Sequence, residues 1–543
     1  MAPPQASPPM VAPSPFPTPS PSSPSTFRQD AHASIEWILS YFSSLSDQRV
    51  VADVQPGFLT STLPSQAPVE GESFSRVLAD FDRLIMPGVT HWLHPRFHAY
   101  FPAGASFPSL LATILGDSLG TLGFSWASCP SMTELETVVM EWYGSAIGLP
   151  PSLLPLSGTG GGALQGSASD CTLVALLAAR AEALRRLHEA NPEVEECAQL
   201  SKLVAYCSEE AHSSVEKACK IAMIRLRKLP TDERFRVRGE TLKKAFEEDI
   251  SAGRTPTFVV ATLGTTSCCS LDALEEIGEE CSRLETHPWL HVDAAYAGNG
   301  FVLPELRHLL KGIEHADSFA TNPNKGLLVH FDCSALWVRD ATKITDTFAV
   351  DPLYLQHEHE DQTTDLRHWG IPLSRRFRSL KLWFVFRMYG IKGLQEHFRQ
   401  HVHLAKCFES FVREDERFEV VNDVHMGLVG FRIKGTDGEN KQFLDRLNAS
   451  GKIFMVPARV KGRFIIRFTV GAGCTTEEDI RTSFQIIASA LKIDHNDNTR
   501  SVVDEAPNGH IAKDIGSLLS SLDITSLLHD LDSAHLHESI RAS

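Results

Sequence analysis

Nowhere in the chain do apolar residues run for the ~20 positions that a membrane-spanning helix requires, so no membrane partner is expected. The first residues lack a basic stretch followed by an apolar core, so no secretory signal is read. Basic residues are in deficit. The 51 Lys and Arg stand against 67 Asp and Glu, a formal charge of −16, which argues against nucleic acid or anionic lipid as the main partner. Paired Cys-x-x-Cys spacings are absent, which removes the usual structural zinc sites, and no metal is expected. The eleven cysteines are scattered and odd in number, which suits reduced thiols in the cytoplasm better than a disulfide scaffold.

What is present is a chain of 543 residues, enough for roughly three domains or one large enzyme subunit. The hydrophobic share of 43% can fill a sizeable core. The most informative stretch runs from Trp289 to Lys325. Two short apolar segments in it read as strands, one ending in Asp293 and the other leading to Lys325. In an open parallel sheet, ligands bind beyond the carboxyl ends of the strands. A lysine amine there can hold the aldehyde of pyridoxal phosphate as a Schiff base. A nearby aspartate can keep the pyridine nitrogen protonated, because an opposite charge favours the charged form. A protonated ring is the electron sink that carbanion chemistry needs.

The surrounding chain divides by composition. Residues 1–26 are rich in Pro and Ser and are expected to be disordered. Residues 27–106 read as a helical arm. Ile35, Ile38, Leu39 and Phe42 recur at helical spacing, as do Phe74, Val77, Leu78 and Phe81 before the Pro87-Gly88 stop. The aromatic run His94–Pro102 suits either a pocket for a planar side chain or core packing. Residues 107–380 alternate strand and helix, which argues for a parallel α/β sheet. Within them, Ser157–Asp170 reads as a glycine-rich loop feeding a helix, an arrangement suited to an anion. His212, Thr266 and Asp293 each fall just after a strand, on one rim. The polar segment Asp351–Arg378 reads as a lid, and its His357, His359 and His368 as solvated loop residues rather than metal ligands. Residues 381–493 form a smaller α+β unit whose last helix opens on a capping box at Thr475–Glu478. Residues 494–543 are a polar tail with one weak amphipathic stretch at 515–528.

The ordered motifs resemble those of the group II pyridoxal-phosphate decarboxylases, in the aromatic-L-amino-acid decarboxylase branch. They are His91-Trp92, Ala99-Tyr-Phe-Pro102, Gly123-Phe-Ser-Trp-Ala127, Thr133-Glu-Leu-Glu136, Gln165-Gly-Ser-Ala-Ser169, Ala211-His-Ser-Ser214, Thr262-Leu-Gly-Thr-Thr266, His291–Gly298 and Arg375-Arg-Phe-Arg378. The resemblance covers about Phe27 to Lys492. It implies an α/β fold of the type I aminotransferase kind, with a large parallel-sheet domain, a small C-terminal domain and an N-terminal helical arm that packs on the other subunit of a homodimer with shared active sites. It implies pyridoxal 5'-phosphate as cofactor, Lys325 as the Schiff-base lysine and Asp293 as the pyridinium partner. Ala295 would pack under the ring and His212 over it. Ala168, Ser169 and Asn322 would hold the phosphate, with Thr266 nearby. Trp92, Tyr100, Phe101, Pro102, Leu122 and Phe124 would form the substrate pocket. Tyr354 would protonate the substrate carbon after CO₂ leaves.

Four positions depart from the family pattern. The lysine usually has His before it and Trp after it, where this chain has Asn324 and Gly326. Loss of the His is expected to remove a group beside the cofactor, although histidine decarboxylases also lack it. Gly326 is expected to loosen the chain after the lysine. Ala103 leaves slightly more room than the common Thr, and Ser374 replaces a common Gly, a change that accompanies phenolic or imidazole substrates. The two changes pull in opposite directions. The implied activity is decarboxylation of tryptophan, tyrosine or Dopa to the amine, ahead of histidine, because the pocket stretch resembles the aromatic branch more closely. Aromatic acetaldehyde synthesis goes with Phe in place of Tyr354, so Tyr354 argues for simple decarboxylation. An inactive pyridoxal-fold binding protein is the remaining alternative.

Overall fold

The computed structural model describes residues 23–360 and 362–497. Most of the two expected tails, residues 1–22 and 498–543, lies outside the described residues, and with it the stretch at 515–528. The first helix opens at Pro24, three residues earlier than the sequence boundary, because Ser23 Oγ accepts the Thr26 N–H at 3.2 Å.

Seven strands make the large sheet. They are β1 (Gly161–Gln165), β2 (Leu203–Ser208), β3 (Arg225–Leu229), β4 (Thr255–Thr262), β5 (Trp289–Asp293), β6 (Ser318–Thr321) and β7 (Ser334–Val338). Their order is β1-β7-β6-β5-β4-β2-β3. Strands β2 to β6 pair in parallel, and β7 runs antiparallel to both β6 and β1. The strands other than the edge strand β3, which reads Arg-Leu-Arg-Lys-Leu, are buried almost throughout because helices cover both faces. On one face, Ala175, Ala178 and Ala179 of the helix Ala168–Ala190 pack with Phe258, Leu336 and Val338. Small alanines let this helix approach the sheet closely.

The alternation read from the sequence is present, but the glycine-rich segment is not a loop throughout. Gly161 to Gln165 form the buried strand β1. A β-carbon at Gly161 would lie 2.3 Å from the Trp369 ring, and one at Gly162 would lie 2.8 Å from Met140 Cε. These glycines make room for large side chains rather than for a ligand. The loop proper shrinks to Gly166 and Ser167, and Ser167 caps the helix Ala168–Ala190.

A second, antiparallel sheet has the order β10-β11-β9-β8, from β8 (Phe418–Val420), β9 (Leu428–Ile433), β10 (Val456–Val460) and β11 (Arg463–Thr469). The helical span Arg378–Glu414 precedes it, broken at Gly390, whose φ of 64° no helix interior holds. The last helix, Glu477–Asp497, is capped by Thr476 and Asp479, one residue later than the box read at Thr475. The Asp479 carboxylate accepts the Thr476 N–H at 2.9 Å, and Thr476 Oγ1 accepts the Asp479 N–H at 3.2 Å. No described helix is long and apolar enough to cross a membrane.

Candidate active site

The parallel strands bring the chemistry to one rim. Thr262, Asp293 and Ala320 are register partners across β4, β5 and β6, so Asp293 sits at the carboxyl edge. His212 and Thr266 follow β2 and β4, where the strand order reverses direction, and Asn322 and Lys325 follow β6.

Hydrogen bonds join these strand ends into one unit. Asp293 Oδ1 accepts the Ala295 N–H at 3.0 Å, and the Ala295 carbonyl accepts the Asn322 N–H at 2.9 Å. The Asn322 carbonyl in turn accepts the Lys325 N–H at 2.8 Å, closing the short helical turn Pro323–Gly326. Beneath the turn, Asn299 Nδ2 donates to the Asn322 carbonyl at 3.0 Å and the Tyr296 carbonyl at 2.9 Å. Asn299 Oδ1 accepts the Tyr143 hydroxyl at 2.8 Å.

Electrostatics set the states of the key groups. Burial pushes the Lys325 amine below its ordinary value, the Asp293 charge opposes that, and Arg467 adds to it. Burial also lowers the His212 imidazole, with Asp293 raising it and Lys325 lowering it further. The mutual effects mark Asp293, Lys325 and His212 as one electrostatic cluster. His212 Nδ1 accepts the Ser214 N–H at 3.2 Å as the cap of helix Ser213–Ala222, which leaves the ring proton on Nε2.

An aromatic segment lies on the lysine side. Lys325 Nζ lies 5.6 Å from the Phe101 ring centre, and Phe101 stacks on Tyr296 at 4.2 Å. Trp92 and Tyr100 stack at 5.0 Å, both partly open to solvent, and Pro102 is buried. Leu122, Phe124 and Ser374 form a separate group. Leu122 and Ser374 are exposed, the Phe124 carbonyl accepts the Arg367 N–H at 3.0 Å, and Gly123 donates to the Arg375 carbonyl at 3.4 Å. Tyr354 projects 80% exposed from the turn Leu353–Leu355. The lid divides in two. Val350 to Tyr354 is open, while His357 Nε2 bonds Asp365 Oδ1 at 3.2 Å and Asp365 also accepts the Trp126 N–H at 2.8 Å. His357 is therefore a half-buried partner of the Asp365–Arg367 ion pair, not a solvated loop residue.

The sequence reading missed Arg467. It is buried on β11, donates through Nη2 to the Tyr100 carbonyl at 2.9 Å, and its guanidinium carbon lies 5.1 Å from the Phe101 ring centre. Thr469 Oγ1 donates to the same carbonyl at 2.9 Å, clamping Tyr100 in a left-handed conformation with φ of 57°. Only the alternation of β11 could have flagged a charge on its buried face.

The residues fit a pyridoxal phosphate group. Asp293 offers a buried carboxylate, Lys325 an amine of lowered basicity, and the start of the helix at Ala168 and Ser169 backbone N–H groups suited to an anion. Asn322 has a buried amide oxygen without a protein partner, a polar atom left for a ligand or its waters. Residues 56–434 match the model of the pyridoxal-dependent decarboxylase conserved domain. The chain belongs to the pyridoxal-dependent decarboxylase family. This decarboxylase is 50% identical to the aromatic-L-amino-acid decarboxylase of Sus scrofa over 85% of its own length and 96% of the pig protein. It is 51% identical to the histidine decarboxylase of Drosophila melanogaster, over 84% of its length and 54% of the fly protein. Its structure matches that of Oryza sativa TDC with PLP and tryptamine at a TM-score of 0.85 and 35% identity, covering 88% of this chain and all of the rice one.

The two residues flanking the lysine are both held by the surrounding scaffold. Asn324 is buried beneath the turn, where its Oδ1 accepts the Cys333 N–H at 3.2 Å and its carbonyl accepts the Gly104 N–H at 2.7 Å. It anchors the lysine turn to the scaffold. Gly326 does not loosen the chain: it lies buried against Asn299, where a side chain has no room.

Proposed function

We propose that this decarboxylase converts an aromatic L-amino acid, tryptophan, tyrosine or Dopa, to its amine and CO₂. The observation that carries the reading is the Lys325–Asp293–His212 cluster placed against the Trp92–Tyr100–Phe101 segment. The pig and rice relatives support the substrate class.

When bound, pyridoxal phosphate supplies an aldehyde for amines and a ring that draws electrons from the substrate α-carbon. Lys325 presents an amine whose lowered basicity favours the neutral nucleophile. Asp293 would hold the proton on the ring nitrogen, His212 and Ala295 would pack against the ring, and Ala168, Ser169 and Asn322 would hold the phosphate, with Thr266 nearby. Tyr354 would act as the general acid that gives a proton to the substrate carbon. The active form is a homodimer in which the Val350–Tyr354 loop completes a shared site, a reading supported by the exposure of Val350, Leu353 and Tyr354. Phe107, Leu111, Ile114 and Leu115, exposed along one helix, and Phe27, Ile35 and Leu39 of the arm support a covering subunit. Eleven free thiols support a reducing, cytoplasmic setting. We read the chain as an arm at 27–106, a large domain at 107–380 and a small domain at 381–493; the two separate sheets support the split between the last two.

Histidine is the second reading, favoured by the exposed Ser374 and by the fly relative. The deciding experiment offers Trp, Tyr, Dopa, Phe and His separately to cofactor-loaded protein and measures amine. Turnover with histidine alone overturns the aromatic reading. Stoichiometric ammonia and peroxide would instead make it an aldehyde synthase. Silence with all five, despite bound cofactor, would revive the inactive binding protein.

A further inference from the structure

His403 and Cys407 stand four residues apart on the helical span Arg378–Glu414, which puts both side chains on one face. Glu477, in the first turn of the last helix, faces them. His403 Nε2 lies 2.7 Å from Glu477 Oε1 and 3.6 Å from Cys407 Sγ, and the three donor atoms all lie within 4.8 Å of one another. The backbones beneath are fixed by core residues on both helices: Leu404, Ala405 and Phe408 on one, Ile480 on the other.

We propose that His403, Cys407 and Glu477 form a binding site for a single zinc-like divalent transition-metal ion, remote from the pyridoxal phosphate cluster. An imidazole, a thiolate and a carboxylate make a three-donor set for a borderline ion such as Zn²⁺ or Co²⁺, with water completing a tetrahedron. Binding replaces the His403–Glu477 hydrogen bond with two metal bonds. The Cys407 thiol proton goes to solvent as the sulfur takes the metal, and a neutral His403 shifts its proton from Nε2 to Nδ1. The neighbouring cations leave the site open. Lys406 pairs with Glu409 at 2.9 Å, and Arg481 lies over the Phe411 ring at 5.2 Å. Nothing in the linear sequence marks the site, because Glu477 lies far along the chain from the His403–Cys407 pair.

The test titrates reduced, cofactor-loaded protein with Co²⁺ and reads the visible bands of tetrahedral cobalt, to the red of the cofactor absorption. One ion per chain is expected, displaced by Zn²⁺. Cys407→Ser should abolish the bands, and His403→Gln and Glu477→Gln should each weaken binding by at least about tenfold. Cys474→Ser, which removes an exposed thiol outside the triad, should leave binding unchanged. Amine production by Cys407→Ser should match the parent, which separates this site from the catalytic reading. Absence of the bands in the parent protein, or their persistence in Cys407→Ser, overturns the proposal.

Discussion

A β-carbon on Gly326 would lie 2.5 Å from Asn299 Cβ and 2.8 Å from Asn299 Cγ. Asn299 cannot yield, because it is buried and its amide holds the Asn322 carbonyl, the Tyr296 carbonyl and the Tyr143 hydroxyl at once. Gly326→Ala should therefore destabilise the protein by about 1–3 kcal/mol through overpacking. Urea unfolding measures it. An unchanged midpoint would mean that the lysine turn is looser than its contacts imply.

The basicity of Lys325 should respond in opposite directions to its two charged neighbours. Asp293→Asn removes the charge that raises it, so the amine should become neutral at a lower pH than in the parent. Arg467→Met removes a charge that lowers it and should do the reverse. The pH dependence of reductive alkylation of Lys325 in cofactor-free protein reads this directly. Since the folded amine titrates below its ordinary 10.5, the unfolded chain binds more protons between the two values. Stability from this group then rises with pH and is lost as pH falls toward the folded value.

Glu136 and Arg375 form a buried ion pair that also takes the Leu164 N–H, at 2.7 Å, on Glu136 Oε1. Arg375 also donates to the Leu164 carbonyl at 2.9 Å. Arg375→Met leaves the carboxylate buried and unpaired, a cost of about 3–5 kcal/mol. The double variant Glu136→Gln with Arg375→Met should recover part of it, read by thermal unfolding. Equal losses in the single and double variants would refute the coupling.

His98 bridges the Thr469 carbonyl and Ser483 Oγ, each at 3.0 Å, and stacks on Phe468. Burial pushes it down to about 3 from an ordinary 6.5, and His401 likewise to about 3. Both stay neutral when folded while the unfolded chain takes up protons. Their contribution is present above 6.5 and lost as pH falls from there toward 3. Urea midpoints should drop between about pH 7 and pH 5. His98→Gln should flatten the drop, and an identical slope would assign it to other groups.

The polar residues of the rim were legible in the sequence because a parallel sheet places such residues by a simple rule. Polar residues just after apolar strands fall on one rim, so Asp293, His212, Thr266 and Lys325 could be grouped before any coordinates. The smaller α+β unit was legible from periodicity. The strand at Gly161–Gln165 was not, because its glycines answer to Trp369, Trp337 and Met140, residues distant in the chain that reach it only after folding. The cap on the last helix was misplaced by one residue because Thr475 and Thr476 carry the same side chain, and only the backbone position chooses between them.

By itself, then, the sequence determined the cofactor chemistry, the strand–helix alternation and the rim. These follow from local periodicity and from residues placed by strand ends. Tertiary structure decided everything that depends on distant partners: Arg467 against Phe101, Asn299 beneath the lysine turn, the anchoring of Asn324 at Cys333 and the meeting of His403 and Cys407 with Glu477. Such contacts arise from packing geometry between elements, which no pattern along a single strand or helix encodes.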